Sequence, residues 1–233
     1  MTQPLSDLEL EAIGLSLRVA FWSVLVSLPL GIAMAWLLAR REFVGKTLVN
    51  GLVHLPLVLP PVVVGYLLLV LLGRQGPFGR WLYETFGIVL PFTWQGAALA
   101  AAVMAFPLMV RAMRLSLESV DRKLEAAART LGASRWDVFF SVTLPLMAPG
   151  IIAGILLAFA RSLGEFGATI TFAANIPGET RTLPLALYSL TQTAGGEEAA
   201  LRLALLSVVI SLVALAASEI IARRVQRRIG ATS

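Results

Sequence analysis

Cysteine is absent from the 233 residues, and there is one histidine, His54. Disulfides, thiolate nucleophiles and cysteine-based metal sites are therefore excluded, and a lone imidazole gives no basis for a histidine-ligated metal. His54 reads as a capping or packing residue at a cytoplasmic helix end. Charge is scarce as well. Asp, Glu, Lys and Arg make up 14% of the chain, where a soluble domain carries roughly a quarter. Within the apolar runs the only clear acids are Glu165 and, near the inner end of the last one, Glu219. No paired carboxylates and no Ser-His-Asp set can be assembled from these, which leaves a membrane enzyme as the weakest class. The opening MTQPLSDLELE is acidic and has no basic stretch before an apolar core, so no cleaved signal peptide is expected. Gly45-Lys46-Thr47 looks like the tail of a nucleotide-binding P-loop, but that motif needs glycine where Arg40 stands.

Apolar residues are what is abundant, at 58%. They cluster into five runs at about 12–38, 52–72, 94–113, 146–174 and 201–222, each near or above the ~20 residues that cross a bilayer as a helix. The expected fold is an all-α integral membrane bundle of five spans, forming one domain over 1–233 with the lipid bilayer as its solvent. Pro29 is a candidate kink in the first span. Pro56, Pro60 and Pro61 leave carbonyls without partners, so the second span is expected inside the bundle and not against lipid. Ala97, Ala98 and Ala100 to Ala102 give the third span a small face for close helix packing. Short surface helices are expected at 78–86 and within 175–196, on the outer side.

Lysine and arginine fix the orientation. With the N-terminus outside and the C-terminus in the cytoplasm, thirteen of the nineteen fall on the inner side: Arg40, Arg41 and Lys46, six in the central loop, and Arg223, Arg224, Arg227 and Arg228. Only Arg74, Arg80, Arg181 and Arg202 fall outside. Net charge is +5, and in a membrane chain it reports topology, so no nucleic-acid partner is expected. No internal repeat is visible, which disfavours an inverted-repeat carrier.

The cytoplasmic loop, about 114–145, is long and patterned. Asp121 suits an N-cap. Leu124, Ala127, Ala128 and Leu131 recur at helical spacing. Glu125 and Arg129 are spaced for an ion pair, and Gly132 falls where a helix end favours positive φ. Ser134 and Asp137 resemble a capping box for a second helix, and Pro145 and Pro149 suit its early turns. On its own terms this is a helix, a glycine turn and a helix, and an amphipathic linker lying on the bilayer is the plain alternative.

Glu125-Ala126-Ala127, Gly132 seven residues after Glu125, and Leu144-Pro145 resemble the EAA loop of bacterial ABC importer permeases. Together with HLPLVLPPVVVGYLLL from His54 and AFARSLGEFGATITF from Ala158, the chain is similar to the molybdate permeases of that family over about 15–224. The resemblance implies a type I importer fold in the cell inner membrane, working as a homodimer with a cytoplasmic ABC ATPase dimer and a periplasmic oxyanion-binding protein. It implies that the chain is not itself an enzyme and holds no cofactor or metal, ATP-Mg being bound by the ATPase. It also implies that Leu124, Glu125, Ala126, Ala127, Arg129, Thr130, Leu131, Gly132, Ala133, Leu144 and Pro145 couple to that ATPase.

Arg161 and Glu165 lie four apart well inside the fourth span, where each is costly alone. A structural ion pair is one reading. The resemblance favours a translocation path through Arg161, Gly164, Glu165, Gly167 and Thr169, with Pro60 and Pro61 of the second span. The competing functions are the same machine carrying sulfate, phosphate or an organic solute, and a stand-alone secondary carrier.

Overall fold

The computed structural model describes residues 6–230, with the side chains of Ser218, Glu219 and 221–230 excepted. The four C-terminal arginines and Glu219 therefore lie outside the described side chains. Among the described residues every regular element is helical.

Helix α1, Asp7–Arg40, begins after Ser6, whose backbone N–H donates to Glu9 Oε2 at 2.8 Å. Its 34 residues span about 50 Å at 1.5 Å per residue. Pro29 sits inside it without ending it. Helix α5, Trp94–Glu118, is capped by Thr93, whose Oγ1 accepts from Gly96 N at 3.1 Å. It is the central element: its alanine face, Ala97 to Ala105, is buried against α1 on one side and α9, Ala148–Leu163, on the other. The absence of bulk allows this packing. A Cβ on Gly150 of α9 would collide with the side chain of Ser116 in α5. Leu38, Met109, Met113, Leu117 and Met147 fill the shared core at zero exposure.

Two of the expected spans are not continuous helices. The second run, expected over 52–72, forms α2, Lys46–Val58, and α3, Pro61–Leu72, turned 117° from each other. The cause is proline. A residue before proline is driven out of the helical region, and both Leu59 (ψ 143°) and Pro60 (ψ 133°) are extended. Neither proline offers an amide to continue the ladder, and Pro61 becomes the first residue of α3. His54 sits in mid-α2, not at a helix end, with Nδ1 donating to the Asn50 carbonyl at 2.8 Å.

The fourth run, expected over 146–174, ends as α9 at Leu163 and restarts as α10, Gly167–Phe172. The Glu165 side chain ends the continuity: Oε1 accepts the free amide of Ala168 at 2.8 Å and so caps the new helix. Before α9 come α6, Arg122–Thr130, α7, Arg135–Val138, a π-turn at Phe139–Thr143 and α8, Leu144–Leu146. The stretch Arg135–Leu146 meets α9 at 64°.

Helices α1, α5 and α12, Glu197–Gly230, are each long and apolar enough to cross a membrane. Among the described residues, counting each bent pair as one crossing brings the number to five. The short outer helices are α4, Pro77–Phe86, and α11, Leu183–Thr191. Leu183 N donates to Ser16 Oγ at 2.7 Å, and Arg202 Nε donates to Glu9 Oε1 at 2.7 Å, so α11 and α12 are fastened to the start of α1.

Candidate coupling site and translocation path

The polar loop folds as its residue types demand. Asp121 Oδ1 accepts from Lys123 N at 2.9 Å and starts α6. Gly132, at φ +89°, ends it, and the Ala133 amide returns to the Ala128 carbonyl at 3.1 Å. Ser134 and Asp137 form the reciprocal box that opens α7: Ser134 N donates to Asp137 Oδ2 at 3.1 Å and Asp137 N to Ser134 Oγ at 3.2 Å. The Ser134 hydroxyl and, after it, the Ser134 backbone N–H hold the Asp137 carboxyl below its ordinary range.

The segment turns an apolar surface outward. Leu124 is 50% and Leu131 88% exposed, and Ala126, Ala127, Thr130 and Pro145 are exposed beside them. Ala133 and Leu144 are half-buried. Sequence reasoning missed two members of this surface. Trp136 and Phe140 are both exposed, with ring centroids 6.2 Å apart and nearly parallel. Their i, i+4 spacing was a usable signal.

Glu125 does not form the expected pair with Arg129. It is turned inward and buried, and its Oε1 accepts from Arg40 Nε at 3.1 Å, lies 3.0 Å from a terminal nitrogen of Arg40, and accepts from Thr143 Oγ1 at 3.1 Å. Arg129 Nε donates instead to the Glu125 carbonyl at 3.1 Å. A buried acid gains more from a buried guanidinium than from a surface one, and Arg40 is as enclosed as Glu125. Two further bonds join α1 to the loop: Arg40 to the Val120 carbonyl at 3.3 Å, and Arg122 to the Ala39 carbonyl at 3.1 Å. Helix α6 is thus clamped to the Arg40 end of α1, with Leu124 and Leu131 left exposed.

The residues expected along the path gather at a crossing of α3 and α10. A Cβ on Gly65 would stand 2.6 Å from the Ala168 carbonyl oxygen, and one on Gly167 would stand 2.7 Å from Pro61 Cβ, so the two backbones touch where both helices begin after a break. Pro60 and Pro61 are therefore brought to Gly167. Gly164 has open space around it and serves the break, not a close approach. Arg161 lies 2.6 Å from Glu165 Oε2, and Glu165 is 2% exposed. The contact is ionic without an aligned hydrogen bond. The polar residues beyond it, Thr169, Thr171 and Asn175, are engaged piece by piece. Thr169 is buried, Thr171 bonds the Gly167 carbonyl, and Asn175 bonds Ser189 and Arg181.

A helical bundle with two broken crossings and an exposed helix-turn-helix has the architecture of a multi-pass membrane permease. The model of the family described as "Binding-protein-dependent transport system inner membrane component" matches residues 27–227, and the chain belongs to that family. It is a multi-pass inner-membrane transport subunit and not an enzyme. It is 62% identical to the molybdenum transport system permease protein ModB of Escherichia coli K12, over 97% of this chain and 99% of that one. It is 60% identical to ModB of Haemophilus influenzae Rd, over 96% and 97%. The sulfate transport system permease protein CysT of Escherichia coli K12 is 41% identical over 76% of this chain and 64% of its own length. Among solved structures, a bacterial ABC transporter involved in import of the acidic polysaccharide alginate superposes with a TM-score of 0.76, covering 94% of this chain and 80% of that one at 19% identity.

Proposed function

We propose that the chain is the membrane subunit of an ATP-driven importer for a tetrahedral oxyanion, molybdate or tungstate foremost. On this reading a periplasmic binding protein delivers the anion and two copies of the chain enclose the path. A cytoplasmic ABC ATPase dimer, which alone binds ATP-Mg, drives the cycle. The observation that carries the cargo is near-complete alignment at 60% and 62% identity with permeases named for molybdenum transport. The sulfate permease aligns at 41% over a smaller share. That last relation keeps sulfate, carried by the same machine, as the second reading.

The geometry suits such a cycle. The exposed stripe of α6, with Leu124 and Leu131, fits an apolar groove on the ATPase as an amphipathic helix does. ATP-driven closure would reach the membrane through the Arg40–Glu125–Thr143 clamp as a rigid-body shift of α1 and of the stretch leading into α9. Within the membrane the paired Arg161 and Glu165 leave the path nearly neutral. A weakly binding path lets the anion leave, and tight recognition falls to the binding protein. One domain spanning 1–233 suffices.

The test is uptake of labelled molybdate by vesicles holding this chain, its ATPase and its binding protein. ATP-dependent uptake that excess sulfate leaves untouched is expected. ATP-dependent uptake abolished by sulfate would move the cargo to the second reading. Uptake indifferent to ATP would overturn the importer assignment in favour of a secondary carrier.

A further inference from the structure

The clamp described above neutralises one of five guanidiniums that line a single cavity of about 260 Å³ on the cytoplasmic side. Arg40 is matched by Glu125. Arg41, Arg122, Arg129 and Arg135 share the same walls, and among the described residues no carboxylate lies within 4 Å of any of them. Three of them are held in place by neutral partners. Arg41 lies 5.2 Å over the Trp36 ring, Arg122 donates to the Ala39 carbonyl and Arg129 to the Glu125 carbonyl. These partners are neutral, so the positive charge at the cavity walls is left uncancelled by them. Four like charges around one concavity repel one another and focus a positive potential there. Guanidinium pairs that way with the oxygens of phosphate-like groups, often two N–H bonds at a time.

We infer that this cavity is a binding site for a tetrahedral oxyanion group, held between the inner end of α1 and the coupling segment. Two sources share that chemistry: the phosphate of an anionic lipid headgroup and a free cytosolic oxyanion. Basic pockets between spanning helices on the cytoplasmic side suit lipid phosphates, and Trp36 places an amphipathic ring at the same level. Occupancy would tie α1, α6 and α7 together through one ligand and stiffen the segment that faces the ATPase.

The experiment uses the assembled permease–ATPase complex in detergent. It is titrated with inorganic phosphate, with short-chain phosphatidylglycerol and with phosphatidylcholine, with binding read from ligand-induced thermal stabilisation. Arg41→Gln combined with Arg135→Gln removes two guanidiniums and is expected to weaken binding about 30-fold. Arg41→Lys with Arg135→Lys should keep much of it. Binding of phosphatidylglycerol over phosphatidylcholine, lost in the glutamine variant, assigns a lipid headgroup. Phosphate binding lost in the same way, with no preference for the lipid, assigns a free oxyanion. On the unmutated complex, phosphate or phosphatidylglycerol should also shield Arg41 and Arg135 from phenylglyoxal, read by peptide mass. Equal responses of wild type and glutamine variant, or no shielding by either ligand, would overturn the site and leave the cavity to acidic side chains of a docked protein.

Discussion

Removal of the Glu125 carboxylate is the sharpest perturbation available. Its Oε1 accepts from Arg40 and Thr143, and both carboxylate and guanidinium are largely enclosed. Glu125→Ala leaves the Arg40 guanidinium buried without a counter-charge, which in comparable sites costs about 3–5 kcal/mol. That cost falls on the docking of α6 against α1, because among the described residues the pair is the salt bridge that joins them. A docking equilibrium weakened by that amount raises the open population by about two to nearly four orders of magnitude. Hydrogen exchange read by mass spectrometry, in the assembled complex, should show faster exchange over 122–130 and little change in α5. Glu125→Gln keeps an acceptor and the volume, so its effect should be smaller. Replacing both partners, Arg40→Met with Glu125→Leu, removes the stranded charge and should recover much of the protection. Transport should stay impaired where docking is lost, with ATP hydrolysis continuing uncoupled. Unchanged exchange over 122–130 in Glu125→Ala would refute the clamp, as would a double replacement worse than the single one.

Further outcomes follow from the same geometry. Gly132→Val places a β-branched residue at φ +89°, a strain of about 1–3 kcal/mol; it should abolish ATP-driven uptake while the membrane bundle stays folded, as judged by circular dichroism and gel filtration. Gly65→Val drives side-chain atoms into the Ala168 carbonyl and should cost about 1–3 kcal/mol by overpacking, seen as a lower melting temperature. Arg161→Met strands the buried Glu165 charge and should lower both the stability of the α9–α10 break and uptake; Arg161→Met with Glu165→Gln should restore stability, and uptake restored with it would show that the pair is structural and not part of the path.

Much of the polar loop, about 114–145, was legible because its signals are local. Asp121, Gly132, Ser134 and Asp137 act within three or four residues of themselves, and the structure puts each where its chemistry predicts. The third span was legible for the same reason, its alanine face marking the helix others must approach. The partner of Glu125 was not legible, because Arg40 is 85 positions away and the nearer Arg129 satisfies the same spacing rule. Burial chose between them, and burial is a tertiary property. The breaks were half visible. Three prolines announced trouble in the second run, yet the direction of the turn depended on Leu59 and Pro60 both being extended. In the fourth run Gly164 and Gly167 pointed to close approach of another backbone, which holds at Gly167 and not at Gly164, while the break itself rests on Glu165 capping α10, a role that residue type does not advertise. The arginine cavity was invisible in the sequence, where its members read only as topology signals.

The absence of cysteine offers a clean background for the most direct test of the central claim, that the α6 stripe is where an ABC ATPase docks. A single Leu131→Cys variant, on an 88% exposed position, and a single Trp81→Cys variant, on exposed α4, would each be labelled with benzophenone maleimide, assembled with the ATPase and irradiated, so that the photoactivated ketone inserts into a nearby C–H bond of the partner without needing a second thiol. The account predicts a permease–ATPase adduct from Leu131→Cys, its yield changing with ATP, and none from Trp81→Cys. No adduct from Leu131→Cys in a complex that hydrolyses ATP and imports molybdate would contradict it.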